Sequence, residues 1–183
     1  AIKYYQFCID KGFNDFKVFS NFGNILQQLG KLEDAAILSR KAVDLKPDLA
    51  HLNFNLGNIL KDLGRLQEAE ILLRKAIKLN PDLKVALNVL GDILLDVGKL
   101  KEVILLSKSK LESKSITPED KLRALIQITC ANLQKGDFPE TSFYLKKINE
   151  LIEQGLLYII KDIKTRQHSW FLTQFISSIY NEL

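Results

Sequence analysis

The chain has 183 residues, of which 46% are apolar and 26% charged, with a formal net charge of +4. This is enough apolar material for one or two domains with a buried core, and no run of about eighteen apolar residues is free of charged or polar breaks, so a membrane-spanning helix is not supported. The opening AIKYYQFCIDKG lacks the basic, apolar, small-residue order of a secretion signal, and a cytoplasmic location is expected.

The organisation shows first in two near-identical stretches. NFGNILQQLGKLEDAAILSRKAVDLKPDL begins at Asn21, and NLGNILKDLGRLQEAEILLRKAIKLNPDL begins at Asn55. An offset of 34 superposes Gly23 on Gly57 and Gly91, Gly30 on Gly64 and Gly98, and Leu32 on Leu66 and Leu100. Ala35, Ala42 and Pro47 superpose on Ala69, Ala76 and Pro81, where a third copy has Val103, Lys110 and Ser115. The copies span residues 16–49, 50–83 and 84–117, the last being degenerate in its second half. Carried upstream, the register puts Ala1, Tyr5 and Cys8 at the positions of Ala35, Ser39 and Ala42. Residues 1–15 therefore predict the second helix of a truncated repeat. Because a repeat buries its core only against its neighbours, the chain is expected to be a piece of a longer protein.

Within each copy an apolar-and-small stripe such as Leu56, Gly57 and Leu60 predicts a first helix, which Gly64 ends by accepting a positive φ. A second helix over Leu66 to Leu79 places Ala69 and Ala76 where backbones approach, and Pro81 stops it. Downstream, Thr117-Pro118-Glu119-Asp120 is a helix start, with a hydroxyl cap, proline in the first turn and acids after it. It predicts a helix from Pro118 to about Gln134. Gly136 echoes Gly98 at an offset of 38, and a helix from about Pro139 to Glu153 completes a divergent pair over residues 118–153. Residues 154–183 carry an apolar face that includes Leu156, Ile160, Trp170 and Phe175. They predict a capping helix or a junction to a further domain.

This period, with its ordered glycine, alanine and proline positions, resembles the tetratricopeptide repeat over residues 16–113. The resemblance implies an all-α fold: a right-handed superhelical solenoid of antiparallel helix pairs, with the first helices lining a concave groove. The candidate groove residues are Asn21, Asn24, Gln27 and Gln28 in the first copy, Asn55, Asn58 and Lys61 in the second, and Asn88 and Asp92 in the third. An asparagine amide offers two donors and an acceptor, so a ladder built on Asn21 and Asn55 could pair with the main chain of an extended peptide whatever its sequence. The same asparagines could instead hold neighbouring helices in register. The segments NFGN at Asn21, NLGN at Asn55 and VLGD at Val89 resemble the array attached to O-linked N-acetylglucosamine transferases, which implies peptide holding of this kind. A second resemblance, to the carboxylate clamp of cochaperones, matches Asn24 and Asn55. It fails because Ser20, Val85 and Val89 stand where that clamp needs cations.

Arg40, Arg74 and Lys108 also recur at 34, as do Lys41 and Lys75, and predict a solvated ridge on the second helices, with an anionic partner or membrane surface as the alternative. Aromatic and basic residues do not interleave in the groove, so nucleic acid is not expected. No nucleophile with a base, paired carboxylates, metal-ligand cluster or phosphate loop stands out, and His51 and His168 are isolated. Cys8 and Cys130 predict buried reduced thiols. The expectation is a non-catalytic scaffold, without cofactor or metal, that binds a protein or peptide partner. The alternative is the substrate-recognition arm of a larger bacterial enzyme, such as a glycosyltransferase, whose catalytic domain lies outside this chain. The reading frame beyond Leu183 discriminates the two.

Overall fold

A computed structural model describes residues 2–113 and 115–151. The expected helix over residues 154–183 lies outside them. Nine helices run through the described residues: α1 (Ile2–Asp10), α2 (Phe16–Gln28), α3 (Leu32–Leu45), α4 (Ala50–Asp62), α5 (Leu66–Leu79), α6 (Lys84–Asp96), α7 (Leu100–Leu111), α8 (Pro118–Lys135) and α9 (Phe138–Leu151). The chain divides into two compact units, Ala1–Ala86 and a second that begins at Leu87.

In the first unit α2 packs on α3, α4 on α5, α3 on α4, and α1 on α2. The turns between paired helices are three residues long at Leu29 to Lys31 and at Leu63 to Arg65, so each pair must fold back antiparallel. Gly64 makes the tight return possible with φ +74, a conformation that a side chain would strain. Around it, Arg65 N donates to Leu60 O at 2.8 Å and Gly64 N to Lys61 O at 2.9 Å, which satisfies carbonyls the helix end would leave bare. Gly30, Gly98 and Gly136 end their helices in the same conformation.

The core of this unit is built on α4 and α5. Leu52, Leu56, Ile59, Leu60 and Leu73 are sealed from solvent, as are Ala69 and Ala76. Gly57 allows the two helices to meet: a Cβ there would stand 3.1 Å from Leu73 Cγ and 3.4 Å from Ala69 O. Asn53 is a polar member of this core, fully buried, and its Nδ2 donates to Pro47 O and to Leu49 O, each at 2.9 Å. It ties the first turn of α4 to the proline turn before it. Asn53→Ala is expected to lower stability by about 1–2 kcal/mol, the usual loss when buried acceptors lose a donor. Urea unfolding followed by circular dichroism measures it.

In the second unit α8 is the central helix, packed on both α7 and α9. Thr117 caps it, accepting from Asp120 N at 3.1 Å, with Pro118 in the first turn. Leu122, Leu125, Ile126 and Ile128 are buried along its length. Cys8 and Cys130 are both free and buried, and burial pushes the Cys130 thiol pKa up.

Candidate functional site

On the first helices of the first unit, the residues that do not pack against α3 and α5 face outward together. Leu56, Gly57 and Leu60 are buried on one side of α4, while Asn55 and Asn58 are half-buried on the other. On α2, Phe22, Gly23 and Leu26 are buried, Asn24 is half-buried and Asn21 exposed. Helices α2 and α4 are neighbours, and Gln27 Nε2 on α2 donates to Asp62 Oδ2 on α4 at 2.8 Å. Lys61 Nζ lies 3.3 Å from the other oxygen of that carboxylate. The two helices are thus bridged at their C-terminal ends. Upstream of the bridge, Asn21, Asn24, Asn55 and Asn58 make no intramolecular side-chain hydrogen bond among the described residues. Gln28 is exposed beside them.

The third copy differs. Asp92 is only 1% exposed, and its carboxylate accepts from Gln127 Nε2 at 2.7 Å and from Arg123 at 3.2 Å. Asn88 is likewise engaged at both ends of its amide: Nδ2 donates to Asp120 Oδ1 at 2.8 Å, and Oδ1 accepts from Lys110 Nζ at 2.9 Å. These two residues, expected on the open face, belong to a polar cluster that joins α6, α7 and α8, with Asp92, Ser107 and Gln127 buried and Asn88 half-buried. Leu95, on the same helix, is fully buried.

Small residues make room for that cluster. Above Gly91 a Cβ would meet the Gln127 side-chain amide at 2.5 Å, and Ser107 on α7 donates to Gln127 Oε1 at 3.1 Å. The Gln127 amide therefore fills the space that Gly91 and Ser107 leave. Lys110 stands where the first two copies carry the fully buried Ala42 and Ala76. Its Nζ also donates to Gln127 Oε1, at 3.0 Å. Burial pushes the Lys110 pKa down to about 8, opposed by the nearby Asp92 and Asp120 carboxylates and reinforced by Arg123. With two cations, two carboxylates and saturated amides, the cluster supports structure rather than an open ligand site. The 34-residue period alone does not reveal it.

Residues 16–49 and 50–83 each match the tetratricopeptide repeat. Residues 16–83 are two such repeats. Solved structures extend the likeness through both units. The crystal structure of MamA is 26% identical with a TM-score of 0.76, and the match covers 84% of this chain and 88% of that one. YrrB, described as a tetratricopeptide-repeat protein with an unusual peptide-binding site, is 19% identical with a TM-score of 0.68, covering 90% and 82%. A kinesin light chain from Podosopora anserina with nearly identical repeats of this type is 14% identical, with a TM-score of 0.67 and coverage of 78% and 77%. No curated protein matches the chain by sequence. The fold is an all-α tetratricopeptide-repeat array. Among the described residues no helix is long and apolar enough to cross a membrane, and no group of three His, Cys, Asp or Glu could hold a metal ion.

Proposed function

We propose that the chain is a protein-interaction scaffold and that the first-helix face of its first unit, α2 with α4, receives an extended segment of a partner. The observation that carries this reading is the set of four unbonded carboxamides, Asn21, Asn24, Asn55 and Asn58, at equivalent places on neighbouring helices. Their chemistry suits a peptide main chain, which presents a donor and an acceptor at every residue. Recognition of this kind tolerates many sequences and draws selectivity from the flanks. Gln27 and Lys61 hold the floor through Asp62, while Gln28 borders the open amides. Asn88 and Asp92 are left out of the proposed surface because both serve the second unit's interior. The peptide-binding description of YrrB supports the class of ligand.

The test is the double variant Asn21→Ala/Asn55→Ala. Binding of partner peptides, selected by display against the wild-type chain, is expected to weaken by about tenfold or more, equivalent to roughly 1.4 kcal/mol. Helix content and the urea midpoint should hardly move, because both side chains stand outside the core. Unchanged affinity for every selected peptide defeats the reading; a large drop in the midpoint would instead assign the asparagines to helix registry.

A further inference from the structure

The second helices of the first unit carry, on their outer side, aliphatic side chains that nothing in the unit covers. Ile37 on α3 is 56% exposed and Ile71 on α5 is 68% exposed. They occupy the same place in their repeats, and Leu105 on α7, in the second unit, holds that place again at 70% exposure. A single exposed isoleucine needs no explanation, but recurrence at one repeat position marks a surface. About one turn after each isoleucine stand two cations, Arg40 with Lys41 and Arg74 with Lys75, and Lys78 follows on α5; Asp44 on α3 supplies a counter-charge, and on α5 Glu70 pairs Arg74 at 2.9 Å. The two helices are tied by Arg40, which reaches Glu68 at 3.3 Å. Beside Ile37, a groove of about 290 Å³ opens between α3 and Arg65 at the start of α5, rimmed by Arg40 and Lys41 and also by Glu33 and Asp44.

We propose that this outer face docks an acidic amphipathic helix of a partner protein, with aliphatic side chains laid over Ile37 and Ile71 and carboxylates set against Lys41 and Lys75. Burying each isoleucine is favourable in itself, and the cations select the partner's sign. A second copy of the chain meeting this face with its own would oppose lysine to lysine, a like-charge contact that disfavours self-pairing. A flat lipid surface would leave the groove beside Ile37 unfilled, whereas a helix carries side chains that enter it. The surface lies on the second helices and does not depend on the asparagine face of α2 and α4.

The probe is a synthetic helical peptide with leucine along one face and glutamate along its flanks, titrated calorimetrically into the 183-residue chain. The same peptide with glutamine in place of glutamate, and vesicles of mixed phosphatidylcholine and phosphatidylserine, are measured in parallel. The glutamate peptide is expected to bind about tenfold or more tightly than the glutamine peptide, with the difference shrinking at high salt. Ile37→Glu/Ile71→Glu should abolish binding without loss of helix content, since both side chains are exposed. Lys41→Glu/Lys75→Glu should transfer the preference to a lysine-flanked peptide. Equal affinity for the glutamate and glutamine peptides, binding untouched by the isoleucine changes, or no binding overturns the proposal. Vesicle binding without peptide binding overturns it in favour of lipid. A dimer in sedimentation that the isoleucine changes dissolve overturns it in favour of a second copy.

Discussion

Replacing Asp92 by alanine is expected to remove about 3–5 kcal/mol of stability from the second unit, the range found when one partner of a buried charge pair is taken away. Asp92 and Arg123 are both nearly enclosed, with side-chain exposures of 2% and 12%. Without the carboxylate, the guanidinium loses its partner at 3.2 Å, and the Lys110 ammonium is left to Asp120, which already accepts from Asn88 and from the Thr117 hydroxyl. Gln127 Nε2 also loses its shorter bond and keeps only Asn88 O, at 3.1 Å. The neutral replacement Asp92→Asn retains an acceptor for Gln127 but not the charge, so its loss should fall between wild type and alanine. Hydrogen exchange provides the local readout: amides of α8 should lose protection in Asp92→Ala, while those of α4 keep theirs. A loss below about 1 kcal/mol would mean the cluster is more open to water than its burial implies.

Helix boundaries and the pairing of α2 with α3 and of α4 with α5 were legible from spacing, because small residues, turn glycines and prolines each have a single physical task in a repeat. The placing of Asn21, Asn24, Asn55 and Asn58 away from the buried side of α2 and α4 followed from the same period: once one face of a helix is committed to the core, the other is fixed. The polar cluster of the second unit did not follow. Gly23, Gly57 and Gly91 are equivalent in sequence, yet they face Ser39 Oγ, Leu73 and the Gln127 amide respectively. The partner that distinguishes the third copy comes from α8, beyond the stretch where the register shifts from 34 to 38, and periodicity cannot index across that shift. One signal was available. A lysine in the slot of two buried alanines must either leave the core or find acceptors there, and Lys110 finds Asn88 and Gln127. Read that way, Asn88 and Asp92 become candidates for the interior before they are candidates for a groove.

The same lysine gives the second unit a stability that depends on alkaline pH. Lys110 falls from its ordinary 10.5 to about 8 in the folded chain, chiefly through burial. Below pH 8 the folded and unfolded chains both carry the proton, and the cost of enclosing the charge is present in full. Between about pH 8 and 10.5 the folded state binds fewer protons than the unfolded state, so stability rises with pH. From pH 7 to pH 10 the contribution is on the order of 2–3 kcal/mol. The measurement is a difference that isolates this one group: wild type minus Lys110→Met, by urea unfolding at intervals across that range. Methionine keeps the length of the side chain and cannot titrate, so the wild type should gain on it steadily as pH rises. The charges that act on Lys110 are those of Asp92, Asp120 and Arg123, while Cys130, whose thiol pKa burial raises, remains protonated across the window. A difference that is flat with pH would show that Lys110 keeps its proton in the fold, and that the bonds from Nζ to Asn88 and Gln127 hold an ammonium more firmly than burial repels it.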